Sequence, residues 1–107
     1  MKLPPIIEKY VDASNRHDVQ SILSCFLNDG VVHDEAETLN GKPAIEGWIT
    51  KTIEKYKFQF KPRDVKNGDG KSVVVMMEVS GTFDGSPVTL DYAFVIESDK
   101  IRSLTIE

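Results

Sequence analysis

At 107 residues the chain is long enough to bury one hydrophobic core and too short for two domains. Its 40% hydrophobic and 28% charged residues suit a globule in water, and a formal net charge of -4 argues against nucleic acid or an anionic membrane as partner, since both need a basic face. One cysteine, Cys25, allows no intrachain disulfide, no run is apolar enough to span a bilayer, and the Met-Lys-Leu-Pro-Pro start lacks the apolar stretch of a signal peptide, so the expected location is the cytoplasm.

Pro4 and Pro5 suit a helix start, because a proline's missing N–H is not needed there. Ile6, Ile7, Tyr10 and Val11 follow at helical spacing, and the helix fades near Asn15 and Arg16. Asp18 can cap a second helix. Val19, Ile22, Leu23, Phe26 and Leu27 would form its buried stripe, and Asn28-Asp29-Gly30 would end it. Val31, Val32 and His33 read as a short strand, and the acidic stretch from Asp34 to Asn40 as a loop.

Pro43 opens a third helix with a stripe of Ile45, Trp48, Ile49, Thr52, Ile53 and Tyr56. The remainder reads as sheet. Phe58 and Phe60 alternate with Lys57, Gln59 and Lys61, a strand with one wet face. Asn67-Gly68-Asp69-Gly70 is a turn, and a β-rich run extends from Ser72 to Phe83. Asp84-Gly85-Ser86-Pro87 turns the chain into a strand from Val88 to Ile96, and Ser98-Asp99-Lys100 into the last, Ile101 to Ile106.

The order is three helices, one interposed strand, then a four-strand antiparallel meander. That is an α+β pattern: a cone-shaped, curved, mostly antiparallel sheet with three N-terminal helices enclosing a pocket. Residues 1–107 read as a single domain. The strand from Val88 to Ile96 carries Val88, Leu90, Tyr92, Phe94 and Ile96 on one face and Ala93 and Val95 on the other. Helices can cover only one face of such a sheet, so the other predicts a homodimer through the convex side.

Three polar side chains stand among apolar neighbours: Tyr10, Asp34 and Asp91. An ionisable group in such surroundings costs free energy unless something satisfies it. Directed into one pocket, the three would suit proton transfer next to a carbonyl. Enolisation needs a base for the carbon-bound proton and donors for the developing oxyanion. A carboxylate in an apolar pocket can be the base, because burial raises basicity. A phenol and a neutral carboxylic acid both carry an O–H to donate. Trp48, Phe58, Met77 and Ala93 would line the pocket and exclude water, and the chemistry calls for no cofactor.

Each residue also has a plainer reading. On it, Asp34 begins a solvated loop with Glu35 and Glu37, Tyr10 fills the core with its hydroxyl meeting water at the rim, and Asp91 faces solvent or pairs with a Lys or Arg. Alternation sends His33 away from Asp34's face. His33-Asp34-Glu35-x-Glu37 matches no standard metal spacing, and no metal is expected. Cys25, without a basic sequence neighbour, reads as structural.

Three segments resemble the nuclear transport factor 2-like superfamily and, within it, the SnoaL-like proteins: KYVDASNRHDVQSILSCFLNDGVVHDE, GKPAIEGW and GTFDGSPVTLDYAFVIESDKIRSL. The resemblance implies a cone fold and leaves function open, because this fold hosts isomerases, cyclases, epoxide hydrolases, dehydratases and non-catalytic binding domains. The site is most similar to steroid Δ5-3-ketosteroid isomerase, whose chemistry is a standard example of carboxyl tuning. That likeness implies an oxyanion-hole role for Tyr10, a catalytic base in Asp34 and a protonated donor in Asp91. Ile49 stands where those isomerases carry a supporting tyrosine, and the turn from Asp84 to Pro87 is shorter than theirs. A slip of one residue would turn Asp91 to the other face of the sheet.

The leading expectation is a cofactor-free isomerase- or cyclase-type enzyme acting on a small hydrophobic carbonyl compound. The alternative is a non-catalytic module that binds a hydrophobic ligand or mediates association. Side-chain direction separates them: if the Asp34 and Asp91 carboxyls do not approach a common cavity, the binding module wins. Epoxide hydrolysis would call for an arginine between two acids, a place Arg16, Arg63 and Arg102 do not obviously fit.

Overall fold

A computed structural model describes residues 1–68 and 70–107. Helix α1 (Pro5–Asn15) starts on Pro5 and buries Ile7, Tyr10, Val11 and Ser14, the i, i+3, i+4, i+7 face that makes an amphipathic helix. The Asn15 side chain clasps the sheet: its Nδ2 donates to Phe60 O at 3.0 Å and its Oδ1 accepts from Phe60 N at 2.6 Å. His17 turns the chain at φ 54°. Asp18 caps α2 (Val19–Leu23), accepting from Ser21 N and Ser21 Oγ.

Helix α2 is shorter than its apolar stripe predicts. Phe26 and Leu27 belong instead to strand β1 (Phe26–Asp34). Phe26 pairs with Ile101, and Ile101 N donates to Cys25 O, so the sheet captures the chain before a third helical turn can form. Gly30 does not stop a helix. It lies within β1, inside the register shift between Phe26 and Val31, where an added Cβ would stand 3.1 Å from Leu27 O and 3.2 Å from Ile101 O.

The acidic stretch expected as a loop is half strand. Strand β2 (Glu37–Asn40) returns antiparallel on β1, with Asp34 opposite Glu37 and Glu35 at the tip at φ 55°. Helix α3 (Gly41–Tyr56) begins two residues before Pro43 and buries Ile45 and Ile49. Strands β3 (Gln59–Asn67), β4 (Ser72–Ser80), β5 (Val88–Glu97) and β6 (Lys100–Ile106) form the expected antiparallel meander. Strand β4 ends at Ser80, short of Phe83. Of the predicted turn after β3, Asp69 lies outside the described residues; Gly68 N donates to Ser72 O beside it.

The sheet runs β2-β1-β6-β5-β4-β3, with β1 parallel to β6. Val75, Met77, Val79, Tyr92, Phe94, Leu104 and Ile106 are buried on its concave side under the helices. Val74, Ala93 and Val95 stay half-buried on the convex side, and Met76 there is 39% exposed. No helix among the described residues is long and apolar enough to cross a membrane.

Candidate functional site

The open end of the cone holds a cavity of about 310 Å³. Tyr10 and Ser14 reach it from α1, Asp34 from the end of β1, and Trp48, Ile49, Thr52 and Tyr56 from α3. Phe58, Phe60, Val79, Leu90 and Tyr92 supply the sheet wall. Trp48, Thr52 and Tyr56 recur every four residues, which sets them along one side of α3. At Asp34 the strand ends and the chain turns, so a half-buried carboxylate stands at the rim instead of in packed hydrocarbon.

Trp48 Nε1 donates to Asp34 Oδ2 at 2.9 Å, tying the carboxylate to α3. Tyr10 is 2% exposed and held in a ring cluster: edge-on to Phe94 at 5.5 Å and Phe26 at 6.0 Å, and stacked on Phe60 at 6.3 Å. Burial pushes its phenol well above the usual tyrosine range. A hydrogen bond with Ser14 works the other way, and the charges of Cys25 and Asp34 reinforce the rise. Tyr10 therefore keeps its proton at neutral pH.

Four sequence-predicted residues, Tyr10, Asp34, Trp48 and Phe58, meet at this cavity. Three do not. Asp91 is exposed on the convex side, between Met76 of β4 and a reciprocal backbone pair with Glu107 at 3.1 and 3.0 Å. Side chains alternate along β5, so with Leu90 and Tyr92 turned to the cavity, Asp91 and Ala93 must point away from it. Met77 shares the concave side but is fully buried opposite Leu90, a core residue and not part of the cavity wall.

Tyr92 went unnoticed as a site residue. It is 5% exposed, edge-on to Phe60 at 5.4 Å, and lines the cavity. Burial raises its phenol well above the ordinary range, with the charges of Tyr10 and Asp34 adding to the rise. The signal was present in the chain: Tyr92 alternates with Val88, Leu90, Phe94 and Ile96, whereas Asp91 falls out of step with them.

The remaining candidates stand outside the cavity. His33 is exposed, 3.3 Å from Thr38 Oγ1. Cys25 is fully buried, donates to Ser21 O, and has its thiol pushed up by burial against the pull of Lys9, Lys100 and Lys42. Arg16, Arg63 and Arg102 engage surface carboxylates, and none lines the cavity.

A six-stranded cone closed by helices around an apolar cavity with a few polar groups at one end defines a small α+β pocket protein. The SnoaL-like domain family matches residues 7–102, and the chain belongs to it. A candidate polyketide cyclase from Sinorhizobium meliloti is 35% identical, with 98% of this chain and 95% of that one covered and a TM-score of 0.92. SalBIII, an epoxide hydrolase/cyclase-like enzyme of pyran-ring formation in salinomycin, is 22% identical over 94% of this chain and 85% of its own, with a TM-score of 0.82. A Catenulispora acidiphila protein of ketosteroid isomerase-like fold, solved with trimethylamine, is 18% identical over 99% and 86%, with a TM-score of 0.84. The last two share the fold alone. No curated protein matches the chain.

Proposed function

We propose that residues 1–107 form one SnoaL-like pocket domain performing cofactor-free acid–base chemistry, of isomerase or cyclase type, on a small apolar carbonyl compound. The observation that carries this reading is a carboxylate and a buried phenol, Asp34 and Tyr10, on one mostly hydrocarbon cavity. The Asp34 carboxylate takes a proton from the carbon next to the carbonyl and becomes the acid. The C–H electron pair forms the enolate C=C bond as the carbonyl π pair moves onto oxygen, where the Tyr10 O–H stabilises it. Asp34 then returns the proton to the same carbon or to a conjugated one. Trp48 holds the carboxylate in place, leaving it other lone pairs for the proton. The likeness to a candidate polyketide cyclase supports the same class of chemistry.

Asp91 on the convex side favours a second reading, a non-catalytic binder of hydrophobic molecules, because only one of the two expected acids reaches the cavity. The expectation that this separation alone decides for the binder asks too much of Asp91: enolisation requires one base and one donor, and Asp91 was only a further donor, so the enzyme reading is kept first. The bicyclic ketone 2-tetralone, whose benzylic α-carbon enolises, separates them. In deuterated buffer the wild type should accelerate deuterium uptake at that carbon, and Asp34→Asn should lower the protein-catalysed rate by about a hundredfold or more. Binding without acceleration, or equal rates for the two proteins, refutes the enzyme reading.

The same proposal includes a homodimer through the convex face, where Met76 lies beside Val74, Ala93 and Val95. Sedimentation should give twice the 12.0 kDa chain mass, and Met76→Glu should shift it to the monomer. A wild-type monomer at micromolar concentration refutes this part.

A further inference from the structure

We propose that Tyr92 is the second hydrogen-bond donor of the cavity, grasping with Tyr10 the single oxygen of a carbonyl ligand that enters oxygen-first. This deepens the reading of the cavity as a carbonyl site and rests on it. The Tyr92 hydroxyl has no hydrogen-bond partner among the described residues, although the residue is only 5% exposed. No buried side-chain oxygen or nitrogen is left without a partner among those residues, so this hydroxyl must have access to the cavity that Tyr92 lines. Open to the cavity and uncommitted to any acceptor among those residues, this O–H is free to donate to a ligand oxygen.

The placement is built. Tyr92 is held between neighbouring strands, opposite Val75 on β4 and Ile106 on β6. Its ring packs against Phe60, the ring on which Tyr10 stacks, so one aromatic platform sets both phenols. Tyr92 feels the Tyr10 phenol, and both phenols feel Asp34. Phenols held in their neutral form can donate throughout the physiological range and cannot compete with Asp34 as base. Two donors converging on one acceptor select an oxygen-bearing end over hydrocarbon, while Phe58, Val79 and Leu90 accept the apolar body.

The test compares 2-tetralone with tetralin, the same bicycle without the oxygen, using quenching of the single tryptophan, Trp48, on the cavity wall. Wild type should bind the ketone at least about tenfold more tightly than the hydrocarbon. Tyr92→Phe should reduce that preference about fivefold or more while leaving tetralin affinity unchanged, which also reports an intact cavity. Asp91→Asn should leave both affinities unchanged. If Tyr92→Phe keeps the full preference while Tyr10→Phe loses it, Tyr92 is not a donor and the carbonyl reading survives. If the wild type shows no preference for the ketone, the carbonyl reading fails and the role of Tyr92 falls with it. Should Tyr92→Phe also lose tetralin, Tyr92 acts by packing and the inference is overturned.

Discussion

Raising the pH above about 10 should destabilise this protein in proportion to the two phenols that wall its cavity. An unperturbed tyrosine ionises near pH 10, and the unfolded chain follows that value. Burial holds Tyr10 and Tyr92 protonated well beyond it in the native state. Between the unfolded and native values the unfolded state binds fewer protons than the native one, so unfolding becomes easier as pH rises. The contribution is complete below about pH 10 and is lost progressively above it. Each group then costs up to about 1.4 kcal/mol per pH unit, and from about pH 10 to about pH 11.5 the pair should remove about 3 kcal/mol. For a domain of this size that is a large share of a total stability of about 5–15 kcal/mol. The assay is urea unfolding across this window for the wild type and for Tyr10→Phe/Tyr92→Phe. Lysines and other groups titrate in both proteins, so the difference between the two curves isolates the phenols. The double variant should lose about 3 kcal/mol less than the wild type. Parallel curves would refute the burial argument. In parallel, near-ultraviolet absorbance past about pH 10 should show less phenolate in the folded protein than in the urea-unfolded one.

Two further predictions concern the frame of the cavity. Asn15→Ala removes both bonds from α1 to the Phe60 backbone and leaves a part-buried N–H and C=O to find other partners. Denaturant unfolding should register a loss of about 1–3 kcal/mol, and a loss under about 0.5 kcal/mol would show the clasp to be incidental. At Gly81 an added Cβ would collide with Tyr56 O, the carbonyl that already accepts from Thr82 N at 2.8 Å and Thr82 Oγ1 at 3.2 Å. Gly81→Ala should therefore push the connection carrying Phe83 away from the end of α3, costing about 1–3 kcal/mol and weakening tetralin binding at the cavity mouth. An alanine variant of wild-type stability and affinity would contradict this.

Much of the architecture was legible in the chain because local physics and the final fold agree there. Pro4 and Pro5 at the start of α1, the Asp18 cap, the α3 stripe and the turns after β4 and β5 each act within a few residues of themselves. Helix α2 was overcalled for a definable reason. Ile22, Phe26 and Leu27 satisfy helical spacing, but the strand that captures Phe26 is β6 (Lys100–Ile106), far along the chain. The same distance effect hid β2, whose polar residues pair with β1 through backbone hydrogen bonds that side-chain polarity does not forbid.

At the site, the chain alone determined that a helix-borne phenol and an acid ending a strand would be set among apolar residues. Period-two alternation also encoded the orientation of Tyr92 and Asp91, although the likeness to an isomerase pointed the other way. Only the tertiary structure decided which residues share a wall. A strand's two faces are equivalent until helices cover one of them, and burial then selects Tyr92 for the cavity and leaves Asp91 to water. The indole that holds Asp34 was likewise beyond sequence reading, since Trp48 reaches it only because α3 packs across the end of β1.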